Sequence, residues 1–321
     1  MKRMSRMAML ALAAACACLT AAPAMAQLPK PSQTQSQVYT SPFLDPYLPA
    51  SDRKLAPIRD KLKVLHVLEE LQAFLQPLRL PREVKVVTDQ CGTQRRPYAS
   101  GQPITICYEM VEQLLEMAPK IYPQSQQYQK DTVVGGFIEA ALHETALAIF
   151  DVLQIPIWGR AEDAADRVSA LIMVELGEDL ENAAMDATID LFRNSSEKIW
   201  TGTDFARTGS PDAQRFFNFV CIAAAADPDR YGKYLGKYDG DKTSGVIVPW
   251  DRSRSCMDGV SKYDDGAACN DDFHKCYKAV RAGTEFDQIR KAFDLAIMPY
   301  VDQDALIKVR ATDWLNWKPG K

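Results

Sequence analysis

The sequence predicts a mostly α domain of the α+β type, with one small antiparallel sheet and disulfide ties. Three observations carry this. Apolar residues recur at helical spacing over most of the chain between residues 58 and 226. Two short runs, Glu83 to Thr88 and Ile104 to Cys107, read as strands. Six cysteines remain once an amino-terminal leader is set aside, an even number that implies a disulfide framework in an exported chain.

The leader has the parts of a secretory signal peptide over residues 1–26. Lys2, Arg3 and Arg6 form a basic start, Met7 to Ala22 an apolar run, and Ala24-Met25-Ala26 a cleavage site before Gln27. Cleavage before Cys16 with lipidation ranks lower, because Ala13 stands where a leucine-like residue is expected. Export to the periplasm or the medium follows as the expectation. No later stretch approaches ~20 uninterrupted apolar residues, so no membrane span is expected in the mature chain. That mature chain carries 35 basic residues against 42 acidic, a net charge of −7. With no basic stripe to track phosphates, nucleic acid is not an expected partner.

Residues 27–57 are rich in Pro, Ser, Gln and Thr and read as a flexible exposed arm. Leu62, Leu65, Leu68, Leu71, Phe74 and Leu75 predict one amphipathic helix from Ile58 to Gln76, with His66 a structural residue inside it. Pro77 and Pro81 end it. The two β-branched runs follow and pair antiparallel in expectation. A helix from Tyr108 to about Met117 and a polar loop over residues 123–130 come next. A long apolar helix over residues 133–153 ends at the Pro156 and Gly159 punctuation. Helices are expected over 162–176, 179–192 and 212–226, the last opened by Pro211. Beyond Arg252 two or three more end near Trp317. The reading divides the mature chain into the arm, a domain over residues 58–265 and a helical carboxy-terminal extension over residues 266–321.

Cys91, Cys107, Cys221, Cys256, Cys269 and Cys276 allow 15 connectivities. Pairing of near neighbours is expected: Cys91 with Cys107, Cys221 with Cys256, Cys269 with Cys276. No C-x-x-C argues for a thiolate metal site, and His274 reads as an exposed residue beside a disulfide.

The long apolar helix carries His143 and Glu144 side by side. In a zinc peptidase helix two histidines stand four residues apart, on one face, and the glutamate between them serves the metal-bound water. Here the pattern reads H-E-x-x-L, with Leu147 at the second histidine position. The next helix opens with Glu162 and Asp166 in E-x-x-x-D spacing. In that layout His143 and Glu162 are metal ligands, Glu144 is the catalytic base, and Asp166 hydrogen-bonds a ligand histidine to fix its tautomer. A His-Glu pair alone is common, and acidic residues at a helix start often serve the helix dipole. Joined across a short Pro/Gly turn in an exported chain, they say more.

These blocks resemble a family of bacterial exported metallopeptidases, gluzincin-like in motif and built on a domain of unknown function. Its core reads H-E-L-G-H-A-L-I-D, then G-R-E-E-D-A-A-D. The match runs through His143, Glu144, Ala148, Asp151, Pro156, Gly159, Arg160, Glu162, Asp163 and Asp166. It continues in Cys91-Gly92, Tyr98 and Ile106-Cys107-Tyr108-Glu109 upstream, and in Gln214-Arg215-Phe216 and Cys221 downstream. The resemblance implies a zincin-like helical domain, a zinc cofactor if the site is retained, and a peptide or protein as substrate or partner.

The departures cluster at the site. Leu147 replaces a ligand histidine. Gly209 stands where the family has another histidine, with Arg207 and Thr208 in place of an acidic pair, and Arg95 and Arg96 replace Asn-Ala. Catalytic zinc takes three protein ligands and keeps a position for water; His143 and Glu162 make two. Glu139 or Asp163 could serve as a third, giving a carboxylate-rich set weaker for zinc. The sequence therefore sets an altered metallopeptidase against a metallopeptidase-like protein without catalysis.

Overall fold

The computed structural model describes residues 36–39, 45–92, 96–175, 178–195, 209–231, 234 and 285–310. The expectations for the leader, for Arg95, Arg207 and Thr208, and for Cys256, Cys269, His274 and Cys276 lie outside the described residues.

One long helix organises the rest. Helix α4, Gln126–Val152, takes in the stretch expected as a polar loop, because Ser125 caps its start by accepting the Tyr128 N–H at 3.3 Å. Its end is a Schellman turn: the Ile155 N–H donates to the Phe150 carbonyl at 2.9 Å and the Gln154 N–H to the Asp151 carbonyl at 3.2 Å. Gln154 takes the left-handed conformation that this turn requires, at φ 53°. Helix α4 is apolar enough to cross a membrane, yet 78% of its most apolar window is buried inside the protein.

The helices α3 (Tyr108–Ile121), α5 (Ala161–Glu175) and α6 (Glu178–Ser195) pack directly on α4, and α7 (Asp212–Ala226) lies against α5 and α6. Two glycines let this happen. A Cβ on Gly135 would sit 2.5 Å from Ala187 Cβ, and one on Gly136 would sit 2.5 Å from Leu114 Cδ2. The backbones of α4 and α6 therefore meet more closely than any side chain at 135 would permit. Leu142, Ile149, Leu171, Met173, Met185 and Phe219 fill the centre.

The helix expected over residues 58–76 is two. Helix α1 (Ala56–Val64) and helix α2 (Val67–Leu75) are separated at His66, whose φ is 52°. Helix α1 buries only Leu62, whereas α2 buries Leu68, Leu71 and Leu75. The break frees α2 to turn its own apolar face inward. The hydroxyl of Tyr47 caps α2 by accepting the Leu68 N–H at 2.9 Å, and donates to Glu69 at 2.5 Å.

The sheet has four strands in the order β2-β1-β3-β4. Strand β1 (Ser36–Tyr39) pairs antiparallel with β2 (Arg79–Leu80) and parallel with β3 (Val84–Asp89), and β3 pairs parallel with β4 (Ile104–Cys107). The antiparallel hairpin expected of β3 and β4 is thus corrected to a parallel pair. Asp89 lies opposite Cys107, so the carboxy ends of both strands are neighbours. The Cys91–Cys107 disulfide, with Cα atoms 5.5 Å apart, spans those two ends. In a hairpin, Cys91 would face the start of β4.

Segments on both sides of the helical core also contribute to it. Strand β1 lies within the expected flexible arm, and Tyr47 is only 3% exposed, so the arm is not uniformly free. The carboxy-terminal helices α9 (Glu285–Ala296) and α10 (Gln303–Arg310) follow a short helix α8 (Pro228–Tyr231) in the described chain. Helix α9 packs on α5 and α7, and the Asp302 N–H donates to the Pro77 carbonyl at 2.8 Å. Phe286, Ile297 and Tyr300 are buried in the common core, so this segment is part of the domain rather than an appendage.

Candidate functional site

Helix periodicity puts Glu139, His143 and Leu147 on one stripe of α4, each a turn from the next. Helix α5 returns against α4 after the Pro156–Gly159 turn, with Glu162 and Asp166 one turn apart on it. His143, Glu162 and Asp166 therefore meet. The imidazole of His143 lies 2.8 Å from Asp166 Oδ1 through Nδ1, and 2.7 Å from Glu162 Oε2 through Nε2. His143 and Asp166 are each 1% exposed; the Glu162 side chain is 18% exposed.

Two ring nitrogens facing two carboxylates at these distances suit a ring that donates on both sides. Burial alone pulls the His143 pKa down, but the bonds to Asp166 and Glu162 outweigh it and hold it up at about 9. That shift favours the imidazolium at neutral pH.

Behind Asp166 stands Arg215, from α7. Its Nε donates to Asp166 Oδ2 at 2.9 Å, and one terminal nitrogen donates to Asp166 Oδ1 at 2.6 Å and to Glu139 Oε1 at 2.8 Å. The guanidinium also stacks 4.1 Å over the ring of Phe192. Burial raises the Asp166 pKa, but the Arg215 charge and the bonds to His143 and Arg215 overcome that and hold it below the usual carboxylate range. The buried chain runs Glu139–Arg215–Asp166–His143–Glu162, three carboxylates against a guanidinium and an imidazolium.

Glu144 faces a different neighbour. Its Oε2 accepts the backbone N–H of Tyr98 at 2.6 Å, and the Tyr98 hydroxyl donates to Asp151 Oδ2 at 2.9 Å. Leu147 is half-buried and packs against the core. Gly209 abuts the third acidic residue: a Cβ there would lie 3.6 Å from Glu162 Cβ and 3.7 Å from its Cγ.

Over residues 47–265 the chain matches a family described as "Putative metallopeptidase". The chain belongs to this metallopeptidase family. Neither the curated proteins nor the solved structures gave a match. Membership in the metallopeptidase family implies a metal, so the residues present can be tested against one.

They do not fit a three-ligand catalytic ion. Leucine at 147 brings no donor atom, and glycine at 209 brings none beside Glu162. Of the substitutes considered, Glu139 does gather with His143 and Asp166, their donor atoms all within 4.8 Å of one another. Arg215 bonds both of those carboxylates, and its positive charge opposes a cation there. Asp163 is not in that group among the described residues.

Sequence reasoning missed two participants. Arg215 reaches Asp166 from 49 residues away; the only trace of it was the Gln214-Arg215-Phe216 block in the resemblance. Tyr98 acts on Glu144 through its main chain, which no side-chain pattern reports. The Cys91–Cys107 pair is present, and Cys221 is also disulfide-bonded, to a residue outside the described set.

Proposed function

We propose that this protein is an exported, metallopeptidase-fold protein without zinc-dependent peptide hydrolysis, which acts by binding a peptide or protein. Leucine at 147, which brings no donor atom beside His143 and Glu162, carries the reading, together with the Arg215 charge on Glu139 and Asp166. A proton on His143 supplies the positive charge that a metal ion would otherwise bring to Glu162. Asp166 and Arg215 then hold the imidazolium, whereas in a zinc enzyme the same residues would hold a neutral ligand ring. Export past the cytoplasmic membrane rests on the leader over residues 1–26 and agrees with the disulfides.

Metal content of the purified full chain tests this. After exposure to excess zinc and gel filtration, we expect below about a tenth of an ion per chain by plasma mass spectrometry. Stoichiometric zinc that disappears in His143→Ala would overturn the reading and restore a catalytic one.

A further inference from the structure

The middle of the sheet is filled by the amino-terminal arm. Strands β2 and β3 are joined by three residues, Pro81, Arg82 and Glu83, yet they do not pair with each other. Strand β1 lies between them. It runs antiparallel to β2, with Ser36 opposite Leu80 and Gln37 opposite Arg79, and parallel to β3, with Val38 opposite Val84 and Tyr39 opposite Lys85. The two walls therefore stand two strand spacings apart, roughly 10 Å. Strand β1 meets each wall over two residue pairs, against four between β3 and β4.

Both walls are held without β1. Beside β2, Leu78 bridges Val301; within it, Arg79 pairs with Asp302 at 2.9 Å and Leu80 is fully buried. Strand β3 is held by its ladder to β4, with Val84, Val86 and Thr88 buried. Arg82, in the connection, pairs with Asp151 on α4 and ties the turn down as well. The arm has a second, separate hold: the Thr88 N–H donates to the Pro46 carbonyl at 2.8 Å, the Leu48 N–H donates to the Thr88 carbonyl at 2.9 Å, and Tyr47 caps α2. Departure of β1 thus leaves a gap whose walls are fixed, with main-chain donors and acceptors of two strands facing into it.

We propose that this gap is a binding slot for an extended peptide segment of a partner protein, and that β1 is a displaceable plug resident in it. The plug displays the class of ligand that the slot accepts: main chain in extended form, parallel to β3 and antiparallel to β2, recognised by strand addition. The plug competes from the same chain, at the high effective concentration that a short tether gives. A partner segment displaces it by pairing over more residues than the two that β1 offers each wall. The proposal rests on the peptide- or protein-binding reading above and gives that binding a place and a ligand class. Stoichiometric zinc lost in His143→Ala would fail that reading and leave the slot standing, whereas absence of peptide binding would fail the slot alone.

A fluorescein-labelled peptide with the sequence of residues 34–41 is the probe. Its binding to the full chain, read by fluorescence anisotropy, is compared between the wild type and Gln37→Pro/Val38→Pro, which removes one plug N–H toward each wall. The double variant should bind the peptide at least ~10-fold more tightly, and a peptide carrying the same two prolines should not bind. Amide hydrogen exchange locates the contact: the slot-facing amides among residues 79–80 and 84–86 should exchange faster in the variant and slow again when the peptide is added, while those of Leu142 and Phe219 keep their rates. No binding by the variant, or equal affinity in the two proteins, overturns the proposal. So does loss of protection at Leu142 and Phe219 in the variant, since a plug leaves without unfolding the helical core. A wild-type dimer on gel filtration that the variant lacks would also overturn it, by assigning the slot to the β1 strand of a second copy.

Discussion

The two ends of the site stripe on α4 are chemically opposite. At the Glu139–His143 end every polar group is buried and bonded, through Arg215, Asp166 and Glu162, into one charge-alternating chain. One turn later, at Leu147, the stripe is apolar and joins the core. The contrast separates two demands that a metal site combines. The network around His143 is needed by the fold itself, because the two buried carboxylates, Glu139 and Asp166, would be very costly without their cations. The position of the second ligand serves only the ion. Once an ion is not required, leucine at 147 costs nothing and gains core contact, whereas Arg215 and Asp166 cannot change singly.

The sharpest way to break this comparison is Arg215→Ala. It strands Glu139 and Asp166 in the interior, and unfolding by urea should show a loss of about 3–5 kcal/mol. A loss below about 1 kcal/mol would mean the network is not what holds this end of the helix pair. Protonation of His143 comes next. Its folded pKa of about 9 lies above the unfolded 6.5, so its contribution is fully present below pH 6.5 and is lost as the pH rises through 9. Stability should fall by about 3 kcal/mol across that window, and His143→Gln should flatten the profile. A flat wild-type profile would remove the imidazolium from the account.

Smaller effects test the apolar end. Leu147→His replaces a half-buried apolar side chain, and about 1 kcal/mol of lost stability is expected in chelator. Excess zinc should recover that loss if the helix pair still holds ligand geometry; no recovery would show that the metal geometry is gone from the scaffold as well as from the sequence. Gly209→His should be the mildest, within about 0.5 kcal/mol, since its Cβ meets Glu162 only at ordinary contact distance. A cost of several kcal/mol there would mean that the space over Glu162 is closed.

Local rules carried the reading of α4 and α5 well. The helix period alone puts His143 on the stripe of Leu147 and Glu162 on that of Asp166, and the short Pro/Gly turn forces the two helices together. The Cys91–Cys107 pairing was legible too, and it held an unused clue: a bond between the ends of both strands is compatible with β3 and β4 only if they run parallel. The break at His66 was not legible, because a left-handed histidine is chosen by the packing of α2 on the core, against its own local preference.

What the sequence by itself determined here is the family, the helices and the loss of a donor at 147, since periodicity, motif spacing and side-chain chemistry act over a few residues. Only the tertiary structure decided what surrounds His143 and Glu144. The carboxylate of Asp166, the guanidinium of Arg215 and the amide of Tyr98 reach the site from three separate segments. Whether a buried charge is balanced depends on which groups fold to within 3 Å of it, and no local pattern encodes that distance.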